Sequence, residues 1–262
     1  MDINHCPACG SNDYISYPHP VYRRCNNCDS LYQYTGIDKV ADYYDCNIPD
    51  FSNQTGSYHT YLRIMKRFIK LESYWLIDIG SGDGLFLDLA KPYVRQVMGF
   101  DTSPTAKSLL KDKGYWIDDH WAILNPKIIT AFQVIEHIQD PRVFIRDLHV
   151  GEFDWLVITS PAPDSQTAIK CHPTGRWRSL SPTHHICLFS RLGLEKLATD
   201  CGLTLVHYEY TWSACHGFID NFRKNLLSYL KWPIKRIIGR RDPLPIFYGK
   251  NSFIAILKKP DR

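Results

Sequence analysis

Apolar side chains recur at Tyr61, Ile64, Met65, Phe68 and Leu71, a three-and-four spacing that predicts an amphipathic helix over residues 58–71. The run WLIDI, starting at Trp75, reads as a buried strand that passes directly into a glycine turn and then a helix, LFLDLAKPY. Residues 97–101, 127–133 and 154–159 read as further strands with helical spacing before or after each, and Asp140 followed by Pro141 opens a helix with an acidic cap and proline at its first position. Strand and helix therefore alternate, which implies an α/β fold with a parallel sheet covered by helices on both faces. Residues 203–210 and 251–257 supply the last two strands. Ahead of all this, residues 13–17 and 22–24 read as two short strands with almost no apolar core of their own.

At 262 residues, 44% hydrophobic and 22% charged, the composition is that of an ordinary globular chain of one large domain with an appendage, or two small ones. Collagen, mucin and wholesale disorder are excluded. A net charge of +4 is too small to announce a nucleic-acid partner. The N-terminal residues have neither the basic flank nor the apolar run of a signal peptide, and no window reaches the roughly 18 apolar residues of a membrane span, so a cytoplasmic protein is expected.

Nine cysteines, an odd number in a chain expected to be reduced, point to metal binding for some of them. Cys6, Cys9, Cys25 and Cys28 stand as C-x2-C, fifteen residues, C-x2-C. Each pair places two thiolates on one tight knuckle, and two facing knuckles give the closed tetrahedral set of a structural zinc. Residues 1–45 thus read as a zinc ribbon, with Gly10 in its first turn and the two short strands as its arms. Metal binding supplies the folding energy that so small a core lacks. Cys46, Cys171, Cys187, Cys201 and Cys215 lack paired spacing and read as small core residues. Residues 46–73 are a linker ending in the amphipathic helix, and 74–262 form the second domain.

The turn Gly80-Ser-Gly82-Asp-Gly84 between strand and helix is a cofactor-binding opening, because glycines let the backbone approach a ligand. Asp101 follows Gly80 by twenty-one residues at the end of the next strand, where a carboxylate can accept both ribose hydroxyls. A pyrophosphate fingerprint would place its third glycine one residue later and without Asp83 beside it. With Asp78 two residues before the turn, the acidic loop suits a cofactor carrying an amino group and a positive sulfonium.

LIDIGSGDGLFLDLA, the acid of GFDTS and the run FQVIEHIQDP together resemble the class I methyltransferases that use S-adenosylmethionine, over about residues 74–210. The resemblance implies a Rossmann-like seven-stranded sheet closed by an antiparallel edge pair, behind the small zinc ribbon. It further implies that Asp78, Gly80 and Gly82 line the methionine and ribose part of the cofactor. Asp101 would hold the ribose hydroxyls, Thr102 would lie beside the adenine, and Phe132 and Gln133 would run along the cofactor. The third strand, near residues 115–118, departs from the usual ending, with Asp118, Asp119 and Trp121 all candidates for the adenine contact. The E-H-x-x-D-P run is similar to members that methylate small molecules, quinones and saccharides. Gly175-Arg-Trp-Arg, then HICLFS from His185, resembles the saccharide-pathway members.

Transfer to a sugar hydroxyl calls for a general base, and histidine titrates nearest neutrality. His185 and His137 are the catalytic candidates. Arg176, Trp177 and His184 are the substrate-binding ones, with the arginine able to fork onto a phosphate and the indole able to stack on a sugar. From residue 216 to 241 seven basic residues stand against the single acid Asp220, interleaved with apolar positions and divided by Pro233. This basic amphipathic helical insertion could rest on an anionic membrane, giving peripheral contact at its inner face, or could cover the substrate. Two other functions fit parts of the pattern: an RNA methyltransferase, against which the absence of a basic groove with stacking aromatics speaks, and a zinc-ribbon adaptor with a vestigial cofactor fold, against which the intact Asp78, Gly80, Gly82 and Asp101 speak.

Overall fold

The computed structural model describes residues 4–34, 52–116, 127–150, 152–212 and 250–260. Strands β4 (Trp75–Ile79), β5 (Gln96–Phe100), β6 (Lys127–Phe132) and β7 (Trp155–Pro161) run parallel, while β10 (Ser252–Lys258) is antiparallel between β7 and the edge strand β9 (Thr204–Thr211). The sheet order is β5-β4-β6-β7-β10-β9. All seven residues of β7 are buried, as expected of a strand covered on both faces.

Six strands make this sheet among the described residues, against the seven expected. At its β5 edge a single parallel bridge joins Gly99 to Trp116. Asp118, Asp119 and Trp121 lie outside the described residues, as does the basic stretch 216–241.

Alternation along the strands separates two cores. Leu76, Ile128, Val157, Ile254 and Ile256 face helices α1 (Thr55–Met65), α2 (Leu85–Ala90) and α3 (Pro104–Asp112). Their neighbours Ile129, Leu156, Ile158, Phe253, Ala255 and Leu257 face α4 (Pro141–Val150) and, beyond α5 (Gln166–Cys171), α6 (Arg191–Asp200). Helix α1 ends at Met65, six residues before the predicted 71, where Phe68 leaves the helix register to stack on His207 at 4.5 Å. Side-chain caps open the helices: Asp140 Oδ1 accepts from the amides of Arg142 and Val143, both at 3.0 Å, and Ser190 Oγ accepts from that of Gly193 at 2.9 Å.

The N-terminal segment forms β1 (Tyr14–Ser16), β2 (Tyr22–Cys25) and β3 (Leu31–Gln33), an antiparallel ribbon. Its third strand pairs with β8 (Cys187–Leu188), so the sheet of the ribbon is completed by residues from beyond β7. Cys6, Cys25 and Cys28 share one apolar cluster with Leu194 and Leu197 of α6. The ribbon and the six-stranded sheet thus pack on a common core.

Candidate active site

The glycine turn lies where β4 ends. Gly80, Gly82 and Gly84 all have positive φ (+74°, +55° and +77°), which turns the chain back on itself before α2. The amides of Gly80 and Ser81 both donate to Phe100 O, at 2.8 and 3.2 Å, which ties the turn to the end of β5. A Cβ at Gly80 would lie 2.5 Å from Cγ2 of Val134, so at this position the missing side chain is a packing requirement as well as a conformational one.

Asp101 stands against the turn. Its Oδ2 accepts from the Gly82 amide and its Oδ1 from the Ser103 amide, each at 2.9 Å, so the carboxylate is fixed in place. A carboxylate has about four acceptor sites, and two remain for a pair of vicinal hydroxyls. Thr102 beside it is exposed. Asp78 lies beneath the turn, 3% exposed, accepting from the Thr130 hydroxyl at 2.6 Å. Burial pushes it up to about 7; the Thr130 bond opposes the shift and the nearby Asp101 adds to it. A cation settling over the turn would favour its ionised form.

Phe132 is half-buried in an aromatic group that sequence spacing did not reveal, 5.0 Å from the Tyr61 ring and 4.7 Å from that of Phe86. Gln133 has φ +56°, and its amide donates to Thr159 O at 2.9 Å. A non-glycine residue held in that region at the carboxyl end of a central strand is the kind of strain found at functional sites.

The structure brings His137, His184 and His185 together. Ring centroids of His137 and His185 are 5.0 Å apart, and His184 lies 5.8 Å from His185. His137 Nδ1 donates to His184 O at 2.9 Å, and His185 Nδ1 to Ser179 O at 2.7 Å. A carbonyl can only accept, so each Nδ1 carries a proton. Burial pulls His137 down to about 3, with His185 and His184 adding to the shift, and pulls His185 down to about 4. Both are neutral imidazoles at pH 7. Glu136 is fully buried, and burial pushes it up to about 8. Donor atoms of Glu136, His137 and His185 lie within 4.8 Å of one another, close enough for the three side chains to hold a cation between them.

The reading of Trp177 as a sugar-stacking surface needs correction. The indole is 2% exposed, packed with Tyr17, Tyr22, Leu31 and Leu188 under the ribbon, and has no open face. Alternating arginine and tryptophan looks the same in a solvated loop and in a loop whose ring is tucked inward. Arg176 and Arg178 on either side are exposed.

Cys6, Cys9, Cys25 and Cys28 place four sulfurs within 4.8 Å of one another. The Cys6 to Cys28 separation is 3.7 Å and that of Cys9 to Cys25 3.5 Å. A tetrahedral zinc with Zn–S bonds of about 2.3 Å needs sulfurs about 3.8 Å apart, so the set fits. The hydrogen bond from the Cys6 thiol pulls Cys28 down to about 5, while burial pushes Cys25 up to about 11.

The histidine cluster makes stability depend on pH. Imidazoles held at about 3 and 4 in the folded chain but near 6.5 when unfolded contribute stability that is complete above pH 6.5 and lost as pH falls toward 4. Glu136 and Asp78, raised on folding, have the opposite slope, so the effect is read as a difference. Relative to wild type, His185→Gln should gain roughly 2 to 3 kcal/mol between pH 6.5 and 4.5 in urea melts. A difference that stays constant across that range would show that His185 is not held neutral.

Residues 57–208 match the family model described as a methyltransferase domain. The chain resembles magnesium protoporphyrin IX methyltransferase from Synechocystis, solved with bound SAH (TM-score 0.51, 14% identity, covering 79% of this chain and 84% of that one). It also resembles a chain from the Haloferax volcanii complex of the Trm112 methyltransferase activator with a putative methyltransferase (TM-score 0.56, 11% identity, 87% and 100% covered). No curated protein matches the sequence. With more than half its length matched, the chain belongs to the methyltransferase-domain family and is an S-adenosylmethionine-dependent methyltransferase.

Proposed function

We propose that the enzyme methylates a hydroxyl of a saccharide or saccharide conjugate, nucleotide-linked, phosphorylated or lipid-linked, and that a structural zinc occupies the four-cysteine set. The observation that carries the reading is the pair of neutral imidazoles, His137 and His185, beyond β6 and β7 at the carboxyl ends of the parallel strands, the edge to which the glycine turn and Asp101 also belong.

In this reading Gly80, Gly82 and Asp101 hold S-adenosylmethionine, with Asp78 beneath, Thr102 toward the adenine, and Phe132 and Gln133 along its length. The acceptor oxygen approaches the methyl carbon in line with the departing sulfur. As the O–CH3 bond forms and the S–CH3 bond breaks, the hydroxyl proton passes to Nε2 of His185, whose Nδ1 proton is committed to Ser179 O. S-adenosylhomocysteine and the methyl ether leave. His137 and His184 line the acceptor side, and the exposed Arg176 supplies a fork for a phosphate. The basic stretch 216–241 is a candidate for contact with an anionic membrane that carries lipid-linked acceptors.

The test is incubation with methyl-labelled cofactor and a panel of nucleotide sugars, glycans and transcripts. Expected is label on a sugar hydroxyl, resistant to nuclease, with kcat reduced on the order of a hundredfold to ten-thousandfold in His185→Ala. Label confined to transcripts, or full turnover in the variant, would overturn the proposal.

A further inference from the structure

We propose that Tyr22 and Gln33 of the ribbon are positioning residues for the turn that carries His184 and His185, so that the four-cysteine module holds the catalytic loop in place from outside the sheet. This rests on the reading of His185 as the base. The turn is tight, with the His184 and His185 amides both donating to Ser181 O, at 3.1 and 2.8 Å. Its outward carbonyls are those of Pro182 and His185. Gln33 Nε2 donates to both, at 3.0 and 2.6 Å, and the Tyr22 hydroxyl donates to His185 O at 2.8 Å.

Gln33 and Tyr22 are each 2% exposed, so a carbonyl deprived of these donors has poor access to water. The main chain continues the clamp: the Gln33 amide donates to Ile186 O at 2.9 Å, and Leu31 and Tyr32 pair with Leu188 and Cys187. From the inner side, the Ile186 amide donates to Glu136 O at 2.7 Å and His184 O accepts from His137. The histidine turn is therefore held between ribbon and active site.

The ribbon is in turn anchored through its knuckles. Arg142 donates to Pro7 O at 2.5 Å and Ala8 O at 3.1 Å, Lys196 to Asn27 O at 2.9 Å, and Ser190 Oγ to Cys28 O. These carbonyls belong to residues within or beside the two C-x2-C turns, so donors from α4, from α6 and from its cap Ser190 grip the cysteine knuckles themselves. The clamp requires folded knuckles. Bonds to the main chain of His185 set where its ring stands while its Nδ1 is fixed separately.

The test uses the full zinc-loaded chain, Gln33→Leu, and Tyr22→Phe as a milder second variant that removes only a hydroxyl. Hydrogen exchange read by mass spectrometry should accelerate roughly tenfold or more over residues 181–188 while residues 76–100 are unchanged. In 15N-histidine spectra the single Nδ1-protonated tautomer of His185 should give way to a mixture. Affinity for S-adenosylhomocysteine, measured by calorimetry, should stay within about twofold, since neither residue touches the cradle. Unchanged protection of 181–188 in both variants, or equal loosening of 76–100, would overturn the proposal. If wild type fails to bind the cofactor product, it is the reading of the cradle that fails, and the exchange result still decides the clamp.

Discussion

Replacing Cys28 by serine should unfold far more than a ribbon. The substitution breaks a four-thiolate set, and structural zinc contributes on the order of 10 kcal/mol or more, comparable to the whole stability of a domain. The damage spreads because the knuckle is a packing surface. A Cβ at Gly193 would lie 3.3 Å from Cys28 Sγ and 3.1 Å from Ala8 Cβ, so α6 sits directly on the cysteine knuckles. If the proposed zinc is held there, its loss should expose that face of the shared core and give an aggregating or molten chain. Cys201→Ser, outside the set, should shift the melting midpoint by no more than a few degrees, equivalent to about 1 kcal/mol. Metal analysis and thermal melts together check this. Full zinc content with a near-native midpoint in Cys28→Ser would refute it.

The second large effect lies at Gly80. Its φ of +74° costs an alanine about 1 to 2 kcal/mol, and the added carbon would have to push aside Val134 Cγ2 at 2.5 Å. Overpacking of that kind adds typically about 1 to 3 kcal/mol. Val134 leads into the turn that carries Glu136 and His137, so the strain reaches both the cradle and the histidine cluster. Gly80→Ala should therefore lose roughly 2 to 5 kcal/mol in stability and most of its cofactor affinity. By contrast, Gly56, with nothing within 4 Å of an added Cβ and no positive φ, should accept alanine without loss. Denaturant melts of the two variants decide the matter, and equal behaviour would contradict the account of the turn.

What the sequence made legible was local. The C-x2-C pairs, the glycines after β4, Asp101 at the next strand end and the Asp140 cap are each announced by a short motif, and in the structure the four sulfurs lie within 4.8 Å of one another, the three glycines have positive φ, and Asp101 and Asp140 accept from backbone amides. The pairing of β3 with β8 joins Leu31 to Leu188, and no periodicity in either segment announces a partner so distant. For the same reason the ribbon reads as a module of its own, although Cys28 shares an apolar cluster with Leu194. Trp177 lies away from its expected place because residue type does not tell which way a loop side chain turns. Helix α1 reads too long because Phe68 and Leu71 keep helical spacing and join the same apolar cluster as Tyr61 and Met65, although the helix has ended at Met65. The gathering of three histidines combines both cases: His184 and His185 are neighbours in the chain, but only the fold brings them to His137.

The most direct test of the central claim, that S-adenosylmethionine lies over the glycine turn with its ribose on Asp101, is calorimetric titration of the cofactor into wild type and Asp101→Ala. Wild type should bind one equivalent, and the variant should bind on the order of a hundredfold more weakly, since two hydrogen bonds to a charged group are lost. Absence of heat with wild type, or equal affinity in the variant, would contradict it.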